Sequence, residues 1–252
     1  MGGVAGRGRG DWSWTVPLLF VPAILACVVQ SSSAPAASSL DREHIVDRLM
    51  EAQRERFEEL TSFSRIQRYT ANDRRFGVQA ELVVRMTYEK GKGKHFEVIS
   101  RSGSSTIQTR VFDGLMAAEI DASKQYIRSG SPLNRANYKF QLLGKVAYGG
   151  RDCYLLQLEP RRKSENLING KAWVDATDFE IIHEEGRTGA SVSFWLGRPS
   201  ITEDFVKIGK FWVAKLRHSV SDSFLLGRSE LDVWYSDYHI TEANQDTIPL
   251  QQ

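Results

Sequence analysis

The feature that most constrains this chain is a change of period. From Ser64 onward apolar residues recur at every second position. In "ELVVRMTYEKGKGKHFEVISR", Leu82, Val84, Met86 and Tyr88 fall on one side, and Phe96 and Val98 continue that side after a Gly-Lys-Gly turn. Period two is the signature of half-buried strands joined as antiparallel hairpins. The pattern returns in "YKFQLLGKVAY", "RDCYLLQLEP", "KAWVD", "EIIHEE", "ITEDFVKI", "FWVAKLRHSV" and "RSELDVWYSDYHI". Gly149-Gly150, Asn169-Gly170 and Gly209-Lys210 supply hairpin turns between these runs. The tail from Thr241 is polar and reads as frayed.

Two segments break the alternation. "SSLDREHIVDRLMEAQRERFEELTSF" places Ile45, Val46, Leu49, Met50, Phe57 and Leu60 on one helical stripe, with Ser38 or Ser39 as cap. "SSTIQTRVFDGLMAAEIDAS" places Ile107, Val111, Phe112, Leu115, Met116 and Ile120 on another, and Ser105 with Gln108 fits a capping box. The expected fold is α+β: nine or ten antiparallel strands in a curved sheet that forms an unclosed β-barrel. The N-terminal and mid-chain helices lie on its concave side.

Residues 1–36 read as a secretory signal peptide: Arg7 and Arg9, an apolar run from Trp12 to Val29, then Ala34-Pro35-Ala36 as a cleavage site. "ILAC" at 24–27 offers the alternative of a lipid anchor at Cys27, and an uncleaved membrane anchor is the other rival. Residues 37–252 then form one domain, with 31 basic and 30 acidic residues. That balance argues against a generic nucleic-acid binder. Cys153 is the one cysteine left, so no internal disulfide forms, and no Cys/His spacing suits zinc. No nucleophile elbow, phosphate loop or dinucleotide fingerprint occurs. The reading is a non-enzyme with no cofactor, no catalytic residue and no metal site.

The stretch "GKAWVDATDFEIIHEEGR" carries Asp175, Asp178, Glu180, His183, Glu184 and Glu185. Alternation places them at a turn and on the solvated side of a meander. His183 has no second histidine four residues on, so a zinc-protease helix is excluded.

The motifs "YKFQLLGKVAYGGRDCYLLQLEPRRK" and "INGKAWVDATDFEIIHEEG" resemble bacterial periplasmic proteins of the outer-membrane lipoprotein-sorting type, the LolA-like superfamily. The matching residues are Gly150, Arg151, Cys153, Tyr154, Pro160, Arg161, Trp173, Val174 and Asp175, and Tyr235-Ser236-Asp237-Tyr238 resembles the family's last strand. The resemblance covers roughly residues 40–240. It implies a periplasmic carrier or binder of acyl chains, of a lipoprotein or another lipid. The alternative is an envelope sensor or accessory module on the same scaffold, with a protein partner.

The lipid-facing set expected from alternation and this resemblance begins with Phe57 and Leu60 on the first helix. Val84, Met86, Tyr88, Phe96 and Val98 follow on the first strands, and Phe112, Leu115 and Met116 on the second helix. Tyr138, Phe140, Leu142, Tyr154 and Leu156 come from the middle strands, and Trp212, Leu216, Val233 and Tyr235 from the last. The same residues would also line a filled core. Trp195 is a further candidate, for a cavity rim or for the core. Burying a sixteen-carbon chain is worth about 12 kcal/mol before ordering costs. A carrier therefore needs a competing empty state to release it.

Overall fold

A computed structural model describes residues 39–73, 77–129, 132–191, 197–223 and 227–243. The signal-peptide reading, Cys27 and Trp195 lie outside these residues.

Helix α1 spans Ser39–Glu59 and runs directly into β1, Leu60–Asp73. Strands β2 (Val78–Glu89) and β3 (Gly93–Gly103) follow. The mid-chain helical run is segmented: α2 at Ser105–Ile107, a π-helical turn at Gln108–Phe112, and α3 at Asp113–Ser129. It reaches beyond Ser123, where its apolar pattern in the sequence ends. Seven strands complete the chain: β4 (Tyr138–Tyr148), β5 (Arg151–Pro160), β6 (Ile168–Asp175), β7 (Ile181–Thr188), β8 (Ser200–Ile208), β9 (Phe211–Ser223) and β10 (Gly227–Glu242).

The ten strands form one antiparallel sheet in the order β3-β2-β1-β10-β9-β8-β7-β6-β5-β4. β3 and β4 are its free edges, so the barrel is not closed. Register shifts occur at Ser64/Ile66, Val83/Val84, Leu142/Gly144, Trp173/Val174 and Asp204/Phe205. Each bulge bends its strand and adds twist, which curves a sheet this wide.

Both helical runs lie on the same face but over different strands. Ile45, Val46 and Leu49 of α1 pack with Tyr138, Leu156, Leu158, Ala172, Val174 and Ile181. Phe112 and Met116 of the second run pack with Tyr69, Leu82, Val84, Ala214, Val233 and Tyr235. A smaller cluster joins Cys153, Ile182 and Trp212.

Two local expectations are corrected. Ser104, not Ser105, caps the second helical run, its Oγ accepting from Ile107 N at 3.4 Å. Gln108 is instead a buried anchor, its Nε2 donating to the backbone oxygens of Glu81 and Ser102, both at 2.7 Å. The last strand ends at Glu242, where Ala243 N donates to Glu59 O at 2.9 Å; the tail expected to fray lies, beyond residue 243, outside the described residues. Asn169-Gly170 is no hairpin turn, because both residues lie within β6. Gly170 is needed for close approach: a Cβ there would sit 1.9 Å from Glu185 O and 2.5 Å from Gly186 Cα. Gly149-Gly150 does form the β4–β5 turn, with φ of 56° and 78°, the left-handed pair that a two-residue hairpin requires.

Two glycine substitutions should act in opposite directions. Gly170→Ala forces β6 and β7 apart and should cost about 3 kcal/mol. Gly114→Ala, where an added Cβ meets nothing within 4 Å, should stabilise by about 0.5–1 kcal/mol. Chemical denaturation of both variants checks the pair.

Candidate functional site

The strand register places one residue from each strand on a continuous helix-facing row. It reads Leu142, Leu156, Ala172, Glu184, Glu203, Arg217, Val233, Tyr69, Leu82, Arg101 from β4 to β3. The neighbouring row faces the other way and is polar at every strand, from Gln141 through Lys171, Glu185, His218 and Asp232 to Ser102. The helix-facing row is apolar on both flanks and charged in the middle. That charged middle lies between the α1 cluster and the α3 cluster, which still meet at Phe205 of β8, packed against both.

Many of the expected lining residues divide between these two clusters. Tyr138 and Leu156 belong to the α1 cluster, with Phe140, Leu142 and Tyr154 half-buried against it. Val84, Phe112, Met116, Val233 and Tyr235 belong to the α3 cluster, with Phe96 and Leu115 against it. Met86 and Tyr88 are buried nearby on β2, while Phe57 and Leu60 are half-buried. Three residues lie elsewhere. Val98 is 43% exposed on edge strand β3. Trp212 sits in the third cluster. Leu216 pairs with Asp204 and exposed Trp234, on the face away from the helices. The cause of this last shift is Lys215, an extra residue between Ala214, opposite Phe205, and Leu216, opposite Asp204. A one-residue bulge reverses the faces beyond it, so Arg217 rather than Leu216 points at the helices.

The charged middle is tightly paired. Arg217 donates to Glu203 Oε2 from Nη2 at 2.6 Å and Nε at 3.1 Å. Glu184 stands directly opposite Glu203 on the adjacent strand. Burial first, then the Glu203 charge, push the Glu184 carboxyl up to about 8 despite Arg217. At neutral pH Glu184 thus holds a proton opposite the Glu203 carboxylate. Arg217 keeps 39% of its side chain accessible.

A second network fixes α3. Glu119 accepts from Lys94 Nζ at 2.8 Å and Tyr69 Oη at 3.0 Å, and Arg65 Nη2 lies 3.8 Å away. The Gln67 amide links the set, its oxygen facing Arg65 Nη2 at 2.6 Å and its nitrogen facing Tyr69 Oη. Burial alone raises the Glu119 carboxyl, but Lys94 and Arg65 outweigh it and hold the group at about 2. Arg65 also lies over the Tyr235 ring, 4.2 Å from its centroid.

The acidic stretch at 175–185 forms a turn, as expected, and Glu185 lies on the outward row, but Asp175, Glu180 and His183 are buried, which corrects that part of the sequence expectation. Asp175 is 1% exposed; it ion-pairs with Arg151 and accepts from the backbone nitrogens of Thr177 at 2.9 Å and Asp178 at 2.8 Å. Asp178 accepts from Lys207 Nζ and Trp212 Nε1. Phe179, with φ of 55°, stacks on Tyr154 and lies 4.9 Å under the Arg48 guanidinium of α1. Glu180 is buried beside Arg56 of α1 at 3.4 Å. The stretch is therefore a turn that clamps the underside of α1. His183 is also buried, its Nδ1 lying 2.6 Å from Asp204 Oδ1 and 2.8 Å from Tyr148 Oη. Burial pushes the Cys153 thiol up, so it stays protonated and is a poor nucleophile. Among the described residues no group of three His, Cys, Asp or Glu could hold a metal ion, and no helix is long and apolar enough to cross a membrane.

No family model matches the sequence, and no curated protein matches it. Among solved structures the chain is similar to a DUF1329 family protein from Desulfovibrio piger, with TM-score 0.42, 11% identity, and 81% of this chain and 95% of that chain covered. It is similar to a putative outer membrane lipoprotein-sorting protein domain from Vibrio parahaemolyticus, with TM-score 0.44, 12% identity and the same coverage. It is also similar to a LolA superfamily protein from Nitrosomonas europaea, with TM-score 0.37, 16% identity, and 78% and 92% covered. At these scores the likeness carries no argument, and the architecture stands on the strand order and helix placement above.

The proton on Glu184 has a measurable consequence. The folded chain keeps a proton on Glu184 that the unfolded chain releases near its ordinary value of 4.5. That contribution to stability is complete below the unfolded value and is lost as pH rises to about 8. Glu184→Gln should flatten the fall in urea midpoint between about pH 5 and pH 8. Parallel pH series of both proteins provide the check.

Proposed function

We propose that the protein is exported, loses residues 1–36, and acts in the periplasm as a non-enzymatic binder or carrier of acyl chains, of a lipoprotein or another lipid. The observation that carries this reading is the division of the helix-facing side. An open sheet presents two apolar clusters that meet at Phe205, each covered by its own helical run and not by another sheet. Moving either run uncovers a distinct apolar strip without breaking the ladder of the sheet.

The chain's own residues supply the steps such a cycle needs. Val84, Met86, Phe96, Phe112, Leu115, Met116, Val233 and Tyr235 offer apolar contact under α3. Tyr138, Phe140, Leu142, Tyr154 and Leu156 offer it under α1. Methionine and aromatic side chains suit a chain of variable path. The clamp of Phe179 and Glu180 on α1, and the Lys94–Glu119 pair on α3, hold the empty state closed. They give bound lipid a competitor, as release of a cargo worth about 12 kcal/mol requires.

The charged middle favours a second reading. Glu184, Glu203 and Arg217 stand where a wholly apolar tunnel would run, which suits an accessory or sensor module with a protein partner. Purification with tagged bait would then return one stoichiometric envelope protein and no lipid.

Native mass spectrometry of protein from membrane-containing cells should show a co-purified acyl species, and an apolar fluorescent probe should bind in competition with it. Leu115→Trp should weaken probe binding about tenfold with the fold intact by circular dichroism. Absence of both lipid and probe response would sink the acyl reading.

A further inference from the structure

An open sheet ends in two edge strands, and each directs a row of backbone N–H and C=O groups out of the sheet. The two edges here are finished differently. On β3, Ser123 Oγ of α3 accepts from Lys94 N at 3.0 Å, and Gln108 Nε2 donates to Ser102 O at 2.7 Å. Between these points a bulge leaves Ile99 with no residue opposite it. That edge is capped at both ends by the second helical run and bent in its middle, which blocks a further strand.

β4 has no such cover. Arg161 N donates to Asn137 O at 2.7 Å, and Pro160, which has no N–H, stands opposite Tyr138. Antiparallel bonding alternates, so Lys139 and Gln141 make the ladder bonds with β5, and Tyr138, Phe140 and Leu142 direct their N–H and C=O off the edge. Tyr138 is served locally: its N donates to Asn134 O at 3.0 Å, and its O accepts from Arg161 Nε at 3.1 Å. The edge-directed groups of Phe140 and Leu142 have no protein partner among the described residues. Leu143 is a bulge that bends the strand beyond them, so the open stretch is Lys139–Leu142.

The side chains around this stretch select what would pair with it. Phe140 and Leu142 face the helices and lie half-buried at the rim of the α1 cluster, as Met50 and Leu133 do. A strand beside β4 would complete that rim with apolar residues at alternate positions. Its intervening residues would lie outward, beside Lys139 and Gln141, where the surroundings are basic. β4 has two lysines, Lys139 and Lys145, and no acidic residue. Arg161, Arg162 and Lys163 are exposed just after β5, and Arg162 Nε lies 3.3 Å from Asn137 Oδ1, at the start of the edge. Against them stand Glu159, already paired with Lys139 at 3.4 Å, and Glu165.

We propose that the β4 edge receives an extended, acidic segment of a partner protein as an added strand, with apolar residues beside Phe140 and Leu142 and carboxylates at the positions between. Backbone bonds supply the affinity, and the apolar rim and basic flank supply the selectivity. This goes beyond the acyl-binding reading and does not rest on it.

The probe is fluorophore-labelled acetyl-Val-Glu-Val-Asp-Val-Glu-amide, added to the whole protein and followed by anisotropy. It should bind about tenfold more tightly than the same peptide with lysine at its acidic positions. Amide exchange at Phe140 and Leu142, fast in the free protein, should slow about tenfold with peptide bound. N-methylation of one alternating set of peptide residues should abolish binding and that of the other set should leave it within about twofold, because one set alone turns its N–H toward β4. Leu142→Pro removes an edge N–H and should weaken binding about tenfold. Arg162→Glu with Lys163→Glu should bring the two peptides within about twofold of each other, and covers the case in which Leu142→Pro does not fold. No binding, equal affinity for both peptides, tolerance of both N-methylated sets or unchanged exchange at Phe140 and Leu142 overturns the proposal. Protection of those amides in the free protein overturns it too: a dimer by light scattering then assigns the edge to a second copy, and a monomer assigns it to the chain's own residues. Displacement of a bound apolar probe by the peptide places the peptide in the lipid site and also overturns it. The other outcomes leave the acyl reading untouched.

Discussion

A ten-stranded sheet with two edge strands must hide one whole face, and the described residues supply two helical runs with which to do it. That constraint organises the molecule. α1 covers the strands near β4, α3 covers those near β3, and the two apolar clusters meet at Phe205 of β8. The middle is otherwise satisfied by charge, with Arg217 and Glu203 paired and Glu184 holding a proton against them. A buried carboxylate pair is tolerable there because one proton and one guanidinium remove most of its charge.

The two helical runs are attached by different physics. α1 is held by Ile45, Val46 and Leu49 in its first half, then by the turn that brings Phe179 and Glu180 against Arg48 and Arg56. α3 is held by Phe112 and Met116 at its start and by Glu119 farther along. Gln108 fixes the beginning of that run through two backbone oxygens of β2 and β3. Apolar contact is tolerant of sliding, whereas the Glu119 network is directional and resists it. The two covers therefore differ in how readily each can shift.

Much of the fold was legible in the residues. The change from period 3.6 to period two marked both helical runs and most strands, and Gly149-Gly150 and Gly209-Lys210 were turns as expected. The failures share one origin. Asn169-Gly170 has turn chemistry but lies in β6, because Gly170 serves the close approach of β7. Leu216 alternates correctly with Trp212 in the sequence, yet Lys215 bulges and puts Arg217 on the helix side. Asp175, Glu180 and His183 look solvated as a charged run, and become buried only because Arg151, Arg56 and Asp204 arrive from distant segments.

The sequence by itself determined the alternation, the two amphipathic helical runs and the antiparallel class, because these depend on neighbours within a few residues. Tertiary structure decided which residues of β9 face inward, how the charged row is neutralised, and which distant cations meet Asp175 and Glu180. Those outcomes depend on bulge positions and on ion pairs between segments far apart in the chain, and local periodicity does not encode them.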